Sequence, residues 1–349
     1  MTATGPSTPY LRLDLALADA AIERMAEHAR RHGLDLRPHA KTHKSVRLAQ
    51  RQLEAGAVGL TVATVGEAQV FAEGGCQDLF IAYPLWVDAA KADRLRRVMD
   101  RARVAVGVDS QGSLDAMAAH GIRPEVLVEI DSGHHRSGVT PGEAGPLARY
   151  AADAGFAVRG VFTFPGHSYG PQARASAAAD EAAALGDAAR ACAAYGIDLP
   201  VRSGGSTPSA EFVGEGLTEL RPGVYLFGDA QQVELGSCRL DEVAVTVVAT
   251  VVSHAGGRVI LDAGSKALGA DRAPWATGFG RLAEAPDARI VALSEHHATV
   301  NWGPGARPAL GSRVLVVPNH VCNTVNLADA YVLTDGSGAW PVAARGQNS

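Results

Sequence analysis

Lys41 is the residue whose type and surroundings most directly suggest covalent chemistry. It stands in the segment RPHAKTHK at residues 37–44, directly after a run expected to form a buried strand. Partial desolvation at the end of such a strand lowers the pKa of an ammonium and makes the amine a nucleophile that can form a Schiff base. The alternative interpretation is a solvated basic patch. Its members would be Arg37, Lys41, His43, Lys44 and Arg47.

A glycine-rich segment could bind an anion. Residues 203–208 read SGGSTP and follow the seventh expected strand. Two glycines allow successive backbone N–H groups to converge on an anion, and the hydroxyl groups add further donors. Phosphate sites of barrel enzymes commonly follow strands seven and eight. An ordinary glycine-rich turn is the alternative, and the position of the segment favours a phosphate site.

Two further polar segments follow neighbouring strands. Arg136 comes after the fifth expected strand and could hold a phenolate or carboxylate, although a surface arginine is the simpler interpretation. Residues 166–170 (GHSYG) follow the sixth strand and offer Tyr169 for ring contacts. Pyridoxal phosphate needs an amine for its aldehyde, an anion site for its phosphate and polar partners for its ring. Together with Lys41, these segments predict a site for that cofactor.

His320 and Cys322 are a candidate metal pair. If the strand expected from residue 313 continues, side chains two positions apart lie on the same face. Imidazole and thiolate together suit Zn²⁺, which is a borderline soft ion. Two protein ligands leave positions for water or substrate, as in a catalytic site. A histidine and a cysteine buried in a β-core are the alternative.

Short apolar segments alternate with helical stretches in the first two thirds of the chain. Eight strands are expected, at residues 36–39, 59–64, 79–83, 104–109, 126–131, 160–164, 200–203 and 224–228. The longest helix between them is expected at 171–195. Eight strands that alternate with helices predict an α/β fold, a (β/α)8 barrel, in which residues after the strands meet at one rim. We expect this barrel to span residues 10–234.

The pattern changes after residue 234. Long β-branched runs separated by turns predict a C-terminal all-β domain over residues 235–335, which contains the metal pair and which residues at the N-terminus could join. Residues 336–349 are expected to form a partly loose tail.

Composition excludes several other functions. A net charge of −5 with 20% charged residues gives no reason to expect nucleic-acid binding or a membrane surface as partner. No apolar run is long enough to span a bilayer, and the N-terminus has no secretion signal pattern. The four cysteines are widely separated, without a Cys-x-x-Cys motif, which favours a reduced cytoplasmic protein.

Four segments resemble the D-serine dehydratase / D-threonine aldolase family of fold-type III pyridoxal phosphate enzymes, which are related to alanine racemase. In chain order they are RPHAKTHK at 37–44, SGGSTP at 203–208, LRPGVY at 220–225 and PNHVC at 318–322. The resemblance extends over about residues 10–335. It implies an alanine-racemase-like barrel, a C-terminal β-domain and a homodimer.

The resemblance also implies roles for individual residues. Lys41 matches the catalytic lysine that binds the cofactor aldehyde, and Arg136 matches an arginine near the ring oxygen of the cofactor. The remaining cofactor contacts that it implies are Tyr169, Gly204, Gly205, Ser206, Thr207 and Tyr225. One departure is the sequence SEHH at 294–297, where the family often has a Glu-His pair, so neither of these histidines is given a role.

His320 and Cys322 match the metal pair of the family. In the aldolase members the second ligand is usually aspartate with Mn²⁺ or Mg²⁺, whereas the dehydratases carry cysteine with Zn²⁺. The thiolate of Cys322 therefore favours zinc over manganese or magnesium and a dehydratase over an aldolase.

The expected function is a pyridoxal phosphate- and zinc-dependent lyase that converts D-serine to pyruvate and ammonia. The alternatives are cleavage of D-threonine to glycine and acetaldehyde by a metal-dependent aldolase, or a 3-hydroxy-D-aspartate lyase. An amino-acid racemase fits less well because no tyrosine base stands where the His-x-Cys lies. A non-catalytic cofactor-binding protein also fits less well, since small proteins of that kind lack the β-domain.

Overall fold

The computed structural model describes residues 6–349. Contacts between residues divide the chain into two units. The barrel unit comprises Glu23–Lys41, Val46–Gly223 and Gln347–Ser349. The β-unit comprises the described residues up to Ile22, together with Thr42–Ser45 and Val224–Gly346.

The first strand, β1 (Tyr10–Leu13), belongs to the sheet of the β-unit, and the next eight strands form the parallel sheet of the barrel unit. These eight are β2 (Asp35–Leu36), β3 (Leu60–Val62), β4 (Asp78–Pro84), β5 (Arg103–Val108), β6 (Glu125–Glu129), β7 (Val158–Phe162), β8 (Val201–Gly204) and β9 (Glu219–Leu220). Their order in the sheet is β2-β9-β8-β7-β6-β5-β4-β3. An isolated parallel bridge between His39 and Thr61 links the chain after β2 to β3. The alanine-racemase-like α/β fold predicted from the sequence is confirmed.

The eighth strand of this sheet was wrongly predicted. It was expected at residues 224–228, but β9 supplies it, and Val224–Leu226 is a 3-10 helix. β9 is only two residues long and contains the charged residue Glu219, so it shows no apolar run. Pro222 follows shortly after β9 and has no N–H group to continue the ladder.

Seven helices cover or connect the strands of the barrel unit. They are α1 (Leu15–Arg31), which begins in the β-unit, α2 (Val46–Glu54), α3 (Val65–Glu73), α4 (Ala89–Met99), α5 (Gln111–Ala119), α6 (Ala144–Asp153) and α7 (Arg174–Ala194). Thr64, Asp88 and Ser110 cap the N-termini of α3, α4 and α5 through their side-chain oxygens. The longest helix, α7, begins later than residue 171 because Gln172 adopts a φ of 63°.

The β-unit contains a nine-stranded sheet. Besides β1, its strands are β10 (Val245–Ser253), β11 (Val259–Leu261), β12 (Gly280–Leu282), β13 (Arg289–Leu293), β14 (Ala298–Asn301), β15 (Arg313–Pro318), β16 (Ala330–Leu333) and β17 (Ala339–Pro341). The order is β11-β14-β13-β12-β15-β10-β1-β16-β17, and a further pairing of β10 with β11 closes six of the strands into a ring. Pairings within the ring are antiparallel, whereas β1 runs parallel to β16.

Three short helices interrupt this predominantly β structure. They are α8 (Ala230–Leu235), α9 (Ser265–Leu268) and α10 (Val321–Leu327). Across residues 6–349, none of the helices has the length and apolar character needed to cross a membrane.

The segment 336–349 includes β17, and its final residues contact the barrel unit to which they belong. The main-chain oxygen of Ser349 accepts hydrogen bonds from Gly66 N and Arg94 Nη1, both at 2.9 Å. The main-chain oxygen of Gln347 accepts a hydrogen bond of 2.7 Å from Thr64 Oγ1.

Candidate active site

Lys41 lies in a 3-10 turn, Ala40–Thr42, which follows the short strand β2 and comes directly after the isolated bridge at His39. The main chain that leads to it is fixed by hydrogen bonds from Arg37 N to Leu220 O (2.9 Å) and from His39 N to Pro222 O (3.0 Å). The lysine side chain itself is partly buried. Its position at the end of a strand is the one that the sequence predicted.

The alternative of a solvated basic patch around Lys41 is wrong. The exposed fractions of Arg37, His43 and Lys44 are 1%, 0% and 5%. Arg37 donates hydrogen bonds to Glu219 (2.6 Å) and to Asp78 (2.7 Å). These side chains are internal structural groups, and only Arg47 of the proposed patch is exposed.

Phe164 lies at the centre of the functional side chains of the barrel unit, and the sequence analysis gave it no role. The distance from Lys41 Nζ to the centroid of its ring is 5.7 Å, and the distance from Arg136 Cζ is 5.2 Å. The ring centroids of His134 and Tyr169 lie 5.5 Å and 6.2 Å from that of Phe164. The loops after β2, β6 and β7 thus bring an amine, a guanidinium, an imidazole and a phenol to one aromatic ring. The only signal in the sequence was the place of Phe164, two residues beyond β7.

Arg136 is half exposed, and its Nη2 lies 3.9 Å from Oε1 of Glu129. Glu129 ends β6 and is buried, and within the described chain its Oε2 has no hydrogen-bond partner. Burial raises the pKa of Glu129, although a hydrogen bond with Ser137 and the charge of Arg136 oppose the shift. Burial and the charge of Arg136 both lower the pKa of His134, which favours a neutral imidazole at pH 7. Arg136 therefore supplies positive charge beside Phe164, with a buried carboxyl behind it.

The loop 204–207 begins at the last residue of β8 and is buried. Gly205 has a φ of +85°, which side-chain-bearing residues rarely adopt, and a Cβ on Gly204 would lie 2.7 Å from Glu181 Cδ. The backbone amides of Gly205 and Ser206 were expected to point together toward an anion, but both donate to side chains of the protein. Gly205 N donates to Glu181 Oε1 at 2.6 Å, and Ser206 N donates to Ser209 Oγ at 3.1 Å.

The side chains of the loop belong to a cluster of hydroxyl groups. Hydrogen bonds join Ser206 Oγ to Ser168 Oγ (2.7 Å) and to Ser209 Oγ (2.8 Å), and all three residues are buried. Thr207 adds a fourth hydroxyl-bearing residue with 8% of its surface exposed. The loop therefore carries hydroxyl groups, which can donate hydrogen bonds to an anion.

A buried arginine, Arg221, fills the interior of the barrel close to the loop and was missed by the sequence analysis. Its guanidinium lies 5.6 Å from the Phe80 ring centroid and 5.3 Å from that of Phe162. Its Nε donates to Ser203 Oγ at 2.7 Å, and this hydroxyl in turn donates to Glu219 Oε1 at 2.6 Å. Burial lowers the pKa of Arg221, although carboxylates, first of all Glu219, oppose the shift.

In the β-unit, His320 and Cys322 are placed differently from the prediction. β15 ends at Pro318, His320 is the N-cap residue of α10, and Cys322 lies in the first turn of that helix. His320 and Cys322 therefore do not share one face of a continuing strand, as predicted, because the strand has ended before Asn319 and a helix begins at Val321. The two side chains still interact, because Cys322 hydrogen-bonds with His320 and its charge raises the pKa of that imidazole.

Asp271 contacts His320 and was not predicted from the sequence. Its Oδ2 forms a hydrogen bond with Nδ1 of His320. Burial lowers the pKa of His320, but Cys322 and Asp271 outweigh this effect and raise it to about 11. The Sγ of Cys322 lies 3.4 Å from Thr42 Oγ1. No group of three histidine, cysteine, aspartate or glutamate side chains within residues 6–349 is arranged to hold a metal ion.

Tyr225, which the sequence analysis assigned to the cofactor, lies in the 3-10 helix Val224–Leu226 and is partly buried. Contacts assign this helix to the β-unit.

Comparisons with known proteins agree with this fold. Residues 13–231 match the family model of the alanine racemase N-terminal domain, and residues 244–334 match that of a putative serine dehydratase domain. These two matches define a class, the pyridoxal phosphate-dependent lyases built on an alanine-racemase-like barrel.

Three relatives show which family within this class the chain belongs to. The chain is 34% identical to the D-threo-3-hydroxyaspartate dehydratase of Delftia sp. over 95% of both chains. It is 37% identical to the D-threonine aldolase of Arthrobacter sp. over 97% of this chain and 93% of the relative. It is 29% identical to the D-serine dehydratase of Dictyostelium discoideum over 93% and 92%. The chain belongs to the D-serine dehydratase / D-threonine aldolase family.

Solved structures support the same conclusion. The Delftia enzyme superposes with a TM-score of 0.88 at 33% identity, with 97% of each chain covered. Two further structures of that enzyme are of a histidine-to-alanine variant and of a cysteine-to-alanine variant in the metal-free form.

The residues present fit pyridoxal phosphate. Lys41 offers an amine, Arg136 offers positive charge for a ring oxygen, and the loop 204–207 offers the hydroxyl groups of Ser206 and Thr207. The donor set of the β-unit also fits a divalent metal. Asp271 on Nδ1 of His320 leaves Nε2 for a metal, and such a carboxylate partner is usual for metal-binding histidines.

Proposed function

We propose that the protein is a D-serine dehydratase, which converts D-serine to pyruvate and ammonia with pyridoxal phosphate and zinc. The observation that carries the proposal is the pair His320 and Cys322 with Asp271 behind it. A thiolate ligand selects zinc over magnesium or manganese, and zinc suits the departure of a hydroxyl group.

Lys41 has two roles in this proposal. Its amine holds the cofactor aldehyde, and during turnover it takes the α-proton of D-serine. The other three lysines of the chain have different surroundings. Lys44 Nζ donates to Asn326 Oδ1 at 2.7 Å, Lys91 Nζ donates to a main-chain oxygen at 3.1 Å, and Lys266 Nζ pairs with a glutamate at 2.7 Å. Lys41 Nζ faces the Phe164 ring, where its ammonium is partly shielded from water.

The remaining site residues bind and orient the cofactor. Arg136 binds the ring oxygen of the cofactor, Tyr169 and Tyr225 contact the cofactor, and Gly204, Gly205, Ser206 and Thr207 form its phosphate site. Glu129 holds Arg136 in place by charge.

When bound, pyridoxal phosphate supplies an electron sink for the carbanion at Cα, and zinc supplies a Lewis acid for the β-hydroxyl. His320 and Cys322 hold the metal, and Asp271 keeps the imidazole in the tautomer with Nε2 as ligand. Loss of the α-proton and of the β-hydroxyl removes water from D-serine. Hydrolysis of the released enamine returns that water and gives pyruvate and ammonia.

The Delftia variants support the metal assignment. The histidine and cysteine replaced in them stand two positions apart with the histidine first, as His320 and Cys322 do. The structure of the cysteine variant is metal-free.

The second candidate function is retro-aldol cleavage of D-threonine to glycine and acetaldehyde. The identity of 37% to the Arthrobacter aldolase favours it. Mn²⁺ or Mg²⁺ would then replace zinc, and the Cα–Cβ bond would break in place of the Cα–H bond. A related alternative is dehydration of D-threo-3-hydroxyaspartate, as in the Delftia relative.

The proposal also includes a homodimer in the cytoplasm, a small D-amino acid as substrate, and no nucleic-acid or membrane partner. These features rest on the family and on the acidic net charge of −5.

A product assay tests the proposed function. The purified protein, loaded with pyridoxal phosphate and Zn²⁺, is incubated separately with D-serine, D-threonine and D-threo-3-hydroxyaspartate. We expect pyruvate and ammonia in equal amounts from D-serine, and no turnover by the Lys41→Ala variant. Acetaldehyde from D-threonine without any keto acid from the three substrates would show that the protein is an aldolase instead.

A further inference from the structure

A buried carboxyl group lies against the loop 204–207 and has no role in the function proposed above. Glu181 belongs to α7, and its side chain is on the face that packs into the barrel unit. The other buried residues of this face are Ala177, Ala178, Ala184, Leu185, Ala188 and Cys192. A glutamate with 2% of its surface exposed among these small apolar side chains needs a reason, because burying a carboxyl group is costly.

The contacts of Glu181 are with the glycines of the loop. Its Oε1 accepts a hydrogen bond of 2.6 Å from Gly205 N, whose φ of +85° places the chain in the left-handed region. A Cβ on Gly204 would lie 2.7 Å from Cδ of Glu181 and would overlap Oε1. The carboxyl group therefore occupies the space that a side chain at 204 would take, and it fixes the amide at 205.

We propose that Glu181 is a positioning residue for the phosphate site. By accepting the hydrogen bond from Gly205, it holds the loop in the turned conformation that presents Ser206 and Thr207 to the phosphate of the cofactor. The proposal rests on the assignment of this loop to the phosphate. It gives Glu181 no direct contact with the substrate or the reacting atoms.

A carboxyl group beside an anion would weaken binding if it stayed charged. Burial raises the pKa of Glu181 to about 7, while the hydrogen bond from Gly205 and the charge of Arg221 oppose the shift. Near neutral pH the group can therefore become neutral at small cost. Other charged groups next to α7 have partners of their own, since His167 pairs with Asp180 and Arg174 pairs with Glu211.

The test compares pyridoxal phosphate with pyridoxal, which has the same aldehyde but no phosphate. Apoprotein is titrated with each, and the absorbance of the lysine adduct gives two dissociation constants. The variants are Glu181→Leu, which removes the acceptor, and Glu181→Gln, which keeps an acceptor oxygen. Asp187→Asn on the exposed part of α7 is the matched control.

We expect Glu181→Leu to weaken pyridoxal phosphate binding by about tenfold or more, because the loop loses the acceptor that holds the amide of Gly205. Pyridoxal binding should stay unchanged, and Glu181→Gln should restore most of the affinity for pyridoxal phosphate. If Glu181→Leu does not fold, Glu181→Asp replaces it in the test. Its shorter side chain moves the acceptor away from Gly205 N, so the same selective loss of affinity for pyridoxal phosphate is expected.

The outcomes are distinguishable. An equal loss of affinity for both ligands, or no loss for either, would overturn the role of Glu181 at the phosphate site. If the unaltered protein forms no adduct with either aldehyde, the proposed function itself fails. If the unaltered protein binds both equally well, the loop does not recognise phosphate and the inference falls with it.

Discussion

Replacing Arg37 with methionine tests how the chain that carries Lys41 is held. Arg37 precedes Lys41 by four residues, and its side chain is 1% exposed. The guanidinium donates to Glu219 at 2.6 Å and to Asp78 at 2.7 Å. Methionine fills much of the same volume but removes the positive group that donates directly to the buried Glu219 carboxylate, which keeps the hydrogen bond from Ser203 and the charge of Arg221.

The expected loss follows from these two contacts. A hydrogen bond between charged groups is worth about 1.5–3 kcal/mol, and breaking a buried ion pair by removal of one partner costs about 3–5 kcal/mol. We therefore expect Arg37→Met to lower the free energy of unfolding by about 3–5 kcal/mol. Urea denaturation followed by circular dichroism measures this difference.

Arg103 offers a matched control. It also lies near Asp78, at 3.7 Å, and pairs with Glu125 at 2.7 Å, but its side chain is 54% exposed. Because water screens exposed pairs, Arg103→Met should cost less than about 1 kcal/mol. Equal losses in the two variants, or a loss below about 1 kcal/mol for Arg37→Met, would refute the argument from burial.

Three further predictions concern the loop and the metal pair. Glu181→Gln should leave stability unchanged at pH 4, and at pH 8 it should stabilise the protein by about 3 kcal/mol. The reason is that the pKa of Glu181 in the folded protein, about 7, exceeds the ordinary value of 4.5. The unaltered protein therefore loses stability as the pH rises from 4.5 to 7, and Glu181→Gln does not. Denaturation at a series of pH values measures this difference. Gly204→Ala should lower stability by about 1–3 kcal/mol because its Cβ overlaps Glu181, whereas Gly142→Ala, with no atom within 4 Å, should be neutral in thermal denaturation. Cys322→Ala should lose bound zinc, and Asp271→Asn should weaken zinc binding by about 10–100-fold in a chelator competition; retained zinc in Cys322→Ala would identify a core cysteine.

The barrel was predictable because its strands are buried on both faces and therefore read as apolar runs separated by polar residues. The same rule failed for β9, where a charged residue takes part in an internal ion pair that no local pattern reveals. Lys41 could be found because a lysine at the end of a buried strand is unusual in the sequence itself. Phe164, Asp271 and Glu181 could not be found in this way, since they contact Lys41, His320 and Gly205, which are distant from them in sequence.

For the His-x-Cys motif, the predicted interaction of the two side chains is present, but the predicted secondary structure is wrong. Spacing by two suits a strand, but His320 stands at the N-cap position of a helix and Cys322 lies in the first turn of that helix. A residue at an N-cap and the residue two positions later can also approach each other. His320 and Cys322 therefore interact although they lie at the start of a helix and not in a strand. The end of β15 at Pro318 depends on tertiary pairing with β12, which sequence periodicity does not report.

The assignment of Lys41 as the residue that binds the cofactor is tested most directly by chemical trapping. The protein is loaded with pyridoxal phosphate, reduced with borohydride, digested, and mapped by mass spectrometry. The chain has four lysines, Lys41, Lys44, Lys91 and Lys266, so the modified site is unambiguous. We expect a single pyridoxyl group on the peptide that contains Lys41, and its absence in Lys41→Ala. Stoichiometric modification of any other lysine, with Lys41 unmodified, would contradict the account.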